Sequence, residues 1–348
     1  MHLYDNEFYM QDVSTVGQKD LPWDQLAGKK IMLSGATGMI GSFLIDVLIE
    51  KGIDCQIYAL GRDENRFRNR FREKAAKLTF VSYDAGRPFP KDGLDSIDYI
   101  MHLASNTHPL QYSTDPIGTI TTNIIGLMNM LEFAETNDQC RFVFASSNEI
   151  YGENRGDVEL FDEDYCGYIN SNTMRAGYPE SKRCGEALCQ AYKAQAGLNV
   201  VIPRFTRTYG PTMLMSDTKA ISQFIKKGLA GEEIVLKSAG TQFFSYQYVA
   251  DSVSGLLTIL LCGKNGEAYN IANEKSDIML KDLAALIAEM SGTKVKFEIP
   301  DAVEAAGYST ATKARLDGKK LKNLGWEPIY DIKAGISRTM AILKEIGV

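Results

Sequence analysis

Short runs of consecutive apolar residues alternate along this chain with longer stretches in which apolar positions recur every three to four residues. The runs fall at 30–33, 56–60, 78–82, 99–103, 141–145 and 200–204. Runs of this length with no polar alternation read as strands buried on both faces, and the helical pattern between them, as at 39–51, is what covers those faces. The rhythm predicts an α/β fold, a doubly wound parallel sheet spanning mainly residues 30–210. Beyond Gly210-Pro211 the alternation loosens into smaller units, with helices near 218–230, 249–261, 280–290 and 332–344. Residues 211–348 are therefore expected to form mainly a smaller, discontinuous C-terminal lobe over the C-terminal ends of the strands, with segments returning to the first domain. Residues 1–29 are an N-terminal extension of mixed polarity carrying Tyr4, Phe8, Tyr9 and Trp23, either docked by these aromatic anchors or a mobile arm.

Composition changes this picture little. The 348 residues, 45% of them hydrophobic, supply an ample core for one large or two modest domains. The formal charge is −6, and the basic patch at 62–72 is interleaved with Asp63 and Glu64, which reads as a solvated helix and not as a nucleic-acid surface. Cys55, Cys140, Cys166, Cys184, Cys189 and Cys262 lack C-x-x-C or His spacing, so no disulfide framework and no metal site is expected, and reduced thiols in the cytoplasm fit best. No run approaches the ~20 apolar residues that span a bilayer, and the first residues are polar and acidic, unlike a signal peptide.

Candidate chemistry begins at Ser34-Gly35-Ala36-Thr37-Gly38-Met39-Ile40-Gly41, between the first apolar run and the first helical pattern. A glycine turn at that junction lets bare backbone approach a pyrophosphate and points helix N–H groups at it. Gly35, Thr37, Gly38, Met39, Ile40 and Gly41 are thus candidate contacts to a dinucleotide. The second run ends Ala59-Leu60-Gly61-Arg62-Asp63. Sites that take NAD commonly end this strand in an acid; here Gly61 leaves room for a 2′-phosphate and Arg62 offers a guanidinium fork, which favours NADP over NAD. The alternative is that Asp63 bonds the ribose. Far downstream, Tyr178-Pro179-Glu180-Ser181-Lys182 sets a phenol and an ammonium one helical turn apart. A free phenol has a pKa of about 10, so acting as a base near neutrality requires a nearby positive charge, which Lys182 can supply.

The G-x-x-G-x-x-G spacing of Gly35, Gly38 and Gly41, taken with Tyr178 and Lys182, resembles the short-chain dehydrogenase/reductase superfamily. Further segments resemble its extended branch, the NAD(P)-dependent nucleotide-sugar epimerase/dehydratase family: Ser146-Ser147-Asn148-Glu149-Ile150-Tyr151-Gly152, the run from Gly177 to Arg183, the run from Tyr209 to Asp217, Gln247-Tyr248-Val249, and Leu324-Gly325-Trp326. The pattern is nearest to nucleotide-sugar uronate decarboxylases. The resemblance implies a Rossmann-type domain in which Ser147 hydrogen-bonds the substrate oxygen and Tyr178 exchanges its proton. Lys182 would also hold the nicotinamide ribose, and Glu149 would assist events after oxidation at the sugar C4, although it could equally be an acid bonded to backbone. It implies cofactor contacts from Asp84 and Ala85 at the adenine, from Leu103, Ala104 and Ser105 beneath the diphosphate, and from Asn123. His102, in the same segment, reads as structural. Ser147, Asn148, Arg207 and Gln242 are the implied substrate contacts. Relatives are dimers, and the helices at 116–135 and 178–196 would form the bundle through Ile120, Ile124, Leu127, Leu131, Leu188 and Ala191, unless those positions face only their own sheet.

Three departures from the family pattern bear on substrate. Arg207 stands where relatives carry Asn, Phe244 stands where they carry a diphosphate-binding Arg, and Gly307-Tyr308-Ser309-Thr310 lacks the Arg of a later segment. Hydrogen bonds to charged groups contribute ~1.5–3 kcal/mol each, so losing two forks weakens a diphosphate site unless Arg207 recovers part of it. The first reading is an epimerase, dehydratase or decarboxylase acting on a nucleotide sugar through a transient 4-keto sugar. An NADPH-dependent ketoreductase of a sugar phosphate or sugar nucleotide is the alternative, and a catalytically silent nucleotide sensor is a third. Neither a membrane nor a nucleic-acid partner is expected.

Overall fold

The computed structural model describes residues 2–90, 94, 96–107, 109–298 and 311–347. The apolar runs are strands: β1 (Lys30–Ser34), β2 (Gln56–Gly61), β3 (Leu78–Ser82), β4 (Tyr99–His102), β5 (Arg141–Phe144), the short β6 (Ser146–Ser147) and β7 (Asn199–Phe205). They form one parallel sheet in the order β11-β7-β5-β4-β1-β2-β3, with β6 beside β7 and β11 (Ala268–Ile271) returning from the second half of the chain to close the edge. Ile31, Met32, Leu33, Ile100, Met101, Phe142, Val143, Val200 and Val201 are fully buried, which explains why these strands carry no alternation.

The helices that flank the sheet have legible ends. Helix α2 (Met39–Lys51) stops at Gly52, which takes the left-handed conformation at φ 71°. Helix α5 (Pro116–Glu135) starts on the Asp115 carboxylate, which accepts from the Gly118 N–H, with proline in the first turn. Helix α6 (Gly177–Ala196) lies beside it, led in by a 3-10 turn at Met174–Ala176 and stopped by left-handed Gly197. Of the stripe expected to serve a dimer, Leu127 and Leu131 belong instead to the core, because they face the sheet. The exposed apolar side chains of α5 are Ile117, Ile120, Ile125 and Met128.

A second sheet covers the C-terminal ends of the first. It is built around β10 (Phe243–Tyr248), flanked by β8 (Arg207–Tyr209), antiparallel β12 (Asp277–Met279) and β14 (Lys313–Ala314). Only Thr206 separates β7 of the first sheet from β8 of the second, so the chain changes layer before Gly210. The long apolar helix α8 (Val249–Cys262) runs between the layers and leads to β11.

The N-terminal extension is docked. Its helix α1 (Glu7–Gly17) packs on α2 and on the terminal helix Ile332–Ile346. Asp12, fully buried, accepts from the hydroxyls of Tyr248 and Tyr330 and pairs with Arg338 at 2.7 Å. Asp46 on α2 gathers Tyr4, Tyr9 and Arg70 in the same way.

Candidate active site

The two loops that leave β1 and β4 meet at the point where the sheet order reverses. A Cβ on Gly35, which sits at φ +74°, would lie 2.9 Å from the Ala104 nitrogen, and one on Gly41 would lie 2.3 Å from the Gly35 oxygen. Glycine at these two positions is therefore a steric requirement. Gly38 caps α2 without any side-chain hydrogen bond, which leaves the first N–H groups of that helix to face the cleft. Ser34 ties the loops together: its hydroxyl accepts from the Ala104 N–H at 3.2 Å and pairs with His102 Nδ1 at 2.9 Å. Burial, and then the charge of Lys182, push the His102 pKa down to about 3, so the ring is neutral and structural.

This cradle opens into a cavity of about 1170 Å³ that continues to the second sheet. Arg62, Asp84 and Ala85 border its far end. Asp63 also borders it but is engaged as the cap of the following helix, accepting from the Arg66 N–H at 3.0 Å. Arg66, one helical turn beyond Arg62, reaches the Thr37 carbonyl at 3.4 Å and adds a second guanidinium that sequence reasoning passed over. Asn123 does not border the cavity. It accepts from Ser105 at 2.7 Å and donates to Ser181 at 2.8 Å, and Ser181 donates to the Tyr178 carbonyl, so it fastens the cofactor-side loop to α6.

Ser147, Glu149, Tyr178 and Lys182 converge on the cavity between the cradle and the second sheet. Ser147 ends β6 and accepts from the Glu149 N–H at 3.2 Å, which starts the 3-10 turn Asn148–Tyr151 and aims Glu149 inward. Tyr178 stacks on Tyr112 with ring centres 4.9 Å apart. Burial, followed by the charge of Glu149, raises its pKa above the ordinary phenol range, while the Ser147 hydroxyl, Arg175 and Ser105 pull it down. Lys182 donates to the Ala145 carbonyl at 2.8 Å, with its nitrogen 4.9 Å from the Phe144 ring centre and 5.9 Å from that of Tyr178. Burial lowers Lys182 to about 8. Desolvation is the largest influence on both groups, and Arg175 adds a cation that lowers the Tyr178 phenol. Arg175 donates to Glu149 at 2.8 Å and lies 4.7 Å from the Tyr112 ring centre. Its place three residues before Tyr178 was the available signal.

On the substrate side, Arg207 on β8 and Gln242 before β10 border the cavity, as does Asn148. Ser238 donates to the Gln242 side chain at 3.4 Å. Lys219 is paired with Asp217 at 3.0 Å. The run Gly307-Tyr308-Ser309-Thr310 lies outside the described residues. Among the described residues, no cluster of three His, Cys, Asp or Glu side chains suits a metal ion, and no helix is long and apolar enough to cross a membrane.

A parallel sheet with a glycine cradle at its switch point, serving a Ser-Tyr-Lys cluster, defines a dinucleotide-dependent enzyme of the short-chain dehydrogenase/reductase type. Residues 31–272 match the NAD dependent epimerase/dehydratase family, and the chain belongs to that family. UDP-glucuronic acid decarboxylase 1 of Danio rerio is 32% identical over 319 residues, covering 90% of this chain and 72% of that one. UDP-glucuronic acid decarboxylase 3 of Arabidopsis thaliana is 31% identical over 311 residues, covering 88% and 86%. Among solved structures, the dTDP-glucose 4,6-dehydratase DesIV of Streptomyces venezuelae, with NAD and TYD bound, superposes with a TM-score of 0.79 at 22% identity, covering 91% of this chain and 97% of that one. The UDP-glucuronic acid 4-epimerase of Bacillus cereus, in complex with UDP-glucuronic acid and NAD, gives 0.79 at 22%, covering 91% and 99%. At these identities the structural likeness establishes the fold.

Proposed function

We propose that this protein acts on a nucleotide sugar through a transient 4-keto sugar, and that among epimerisation, dehydration and decarboxylation it decarboxylates a nucleotide-linked uronate. The convergence of Ser147, Tyr178, Lys182 and Glu149 on one cavity wall beside the glycine cradle carries the reading. The cradle fits a dinucleotide, since Gly35 and Gly41 let its backbone segments pack closely and the first turn of α2, with no side-chain cap, offers its N–H groups to a diphosphate. A bound nicotinamide would supply the hydride acceptor and donor. Gly35, Thr37, Gly38, Met39, Ile40 and Gly41 would hold its diphosphate, Asp84 and Ala85 the adenine, and Lys182 the nicotinamide ribose. Arg62, with Arg66 behind it, favours NADP by the same fork-to-phosphate logic. Ser147 hydrogen-bonds the C4 oxygen of the sugar while Tyr178 takes the proton of that hydroxyl and later returns it. Once C4 is a ketone, a carboxylate β to it leaves as carbon dioxide and the electron pair passes into the enolate, whose carbon is then protonated. Glu149, held by Arg175, is placed to assist that proton.

Incubation with UDP-glucuronate, followed by NMR, tests this: carbon dioxide and a UDP-pentose should form without added NADPH, and Tyr178→Phe should slow their formation by about 100-fold or more. Stoichiometric consumption of NADPH without loss of carbon would transfer the reading to the ketoreductase alternative. We further propose a homodimer through α5 and α6, using Ile117, Ile120 and Met128 on the exposed face of α5. Light scattering at micromolar concentration should report twice the chain mass, and a monomer mass would refute it.

A further inference from the structure

We propose that Arg207, laid on Phe244, grips an oxyanion of the substrate close to the reacting carbons and makes the site selective for substrates charged there. The inference deepens the proposed nucleotide-sugar reading and rests on it.

Arg207 is registered against Tyr246 across the β8–β10 pair, and its guanidinium carbon lies 3.5 Å from the centre of the Phe244 ring. The aromatic face fixes the plane of the fork and shields that side from water. Arg207 borders the cavity, and its Nη1 is buried with no hydrogen-bond partner, as is Nε of Arg175. A buried guanidinium N–H without an acceptor is costly, and such a group is retained where a ligand completes it. The charges point the same way. Burial, and behind it Arg175, disfavour the charge on Arg207, which Tyr246 and the Glu149 carboxylate favour. That carboxylate is already engaged by Arg175 at 2.8 Å. Glu149 is thus bonded to Arg175, while Lys219, which also borders the cavity, is paired with Asp217. A substrate hydroxyl could fill one hydrogen bond but would leave the excess positive charge. A planar or tetrahedral oxyanion fills both requirements, accepting from the fork and neutralising the wall. Because Arg207 borders the same cavity as Ser147, Glu149 and Tyr178, that oxyanion lies at the sugar or at the phosphate next to it.

Calorimetric titration of UDP-glucuronate, UDP-glucose and UDP into the wild-type protein, Arg207→Gln and Arg207→Lys tests the inference, with nicotinamide-cofactor binding and thermal melting as folding controls. Arg207→Gln should weaken UDP-glucuronate by about 10- to 100-fold, and Arg207→Lys should recover part of the loss, because charge returns without the fork. A loss confined to UDP-glucuronate identifies the sugar carboxylate as the oxyanion, and a loss shared by all three identifies the diphosphate. Binding of all three ligands to Arg207→Gln within about twofold of the wild type overturns the assignment. Should Arg207→Gln fail the folding controls, Arg207→Lys binding as the wild type does would overturn it equally. A wild-type protein that binds none of the three would overturn the proposed function, and this inference with it.

Discussion

Arg175 holds the Glu149 carboxylate at 2.8 Å while its guanidinium lies over Tyr112, the ring on which Tyr178 stacks. One cation thus steadies both the acid and the phenol of the proposed mechanism. Arg175→Met should leave Glu149 without its ion-pair partner and should raise the already elevated Tyr178 pKa further. The Tyr178 shift moves the acid limb of the rate profile to higher pH, and kcat near neutrality should fall by about 100-fold. A pH–rate profile that keeps its wild-type limbs would remove Arg175 from the mechanism.

Lys182 carries a signed prediction for stability. Burial takes it from 10.5 to about 8, so between those values the unfolded chain binds more protons than the folded one, and stability rises with pH across that window. Lys182→Met keeps the apolar stem and removes the ionisable group. In cofactor-free protein the wild type should gain on the order of 3 kcal/mol relative to this variant between pH 7 and pH 10.5. Urea denaturation at the two pH values measures the difference, and parallel profiles would contradict it. The variant should also bind nicotinamide cofactor more weakly.

Arg62 is predicted to decide cofactor preference. NADP should bind more tightly than NAD, and Arg62→Ala should erase most of that difference while scarcely changing NAD affinity, because NAD lacks the 2′-phosphate. Titration of both cofactors into both proteins is the check. Equal or tighter NAD binding by the wild type would return the ribose to Asp63 or to backbone groups.

Asp12 anchors the N-terminal extension through Tyr248, Tyr330 and Arg338. Replacing a buried carboxylate that serves three partners strands each of them, so Asp12→Ala should destabilise the fold by about 3–5 kcal/mol. Asp12→Asn, which retains an acceptor, should lose less. Denaturant midpoints compare them, and an Asp12→Ala midpoint equal to wild type would show the extension to be dispensable.

The central sheet was legible because its information is local. Its main strands are short, mostly apolar runs, and β1 to β5 and β7 fall within a residue or so of their expected limits, whereas the two-residue β6 was not foreseen. The glycine cradle was legible from its local spacing: Gly41 is dictated by the nearby Gly35 carbonyl, although Gly35 itself is dictated by Ala104 in the loop after β4. What escaped was long-range. Asp12 meets Tyr330 from the other end of the chain, and neither residue carries a mark of that pairing in its own neighbourhood. Lys182 was read by its charge, whereas its burial against Phe144 and Ala145 sets its pKa. The seating of Arg207 on Phe244 joins two positions that each look, taken singly, like the loss of a family residue.

The exchange of strands between the two sheets has a mechanical consequence. The chain passes from one layer to the other at Thr206, returns through α8 to β11, and leaves again for β12. A clamshell needs one or two slender hinges, and here several segments, one of them a buried helix packed on strands of both sheets, join the layers. The two sheets would therefore hold a nearly constant gap, leaving admission and exit of ligand to the loops at its rim. Discrimination would then reside in the fixed contour of the walls, and turnover would be gated by small local displacements in place of a swing of one layer against the other.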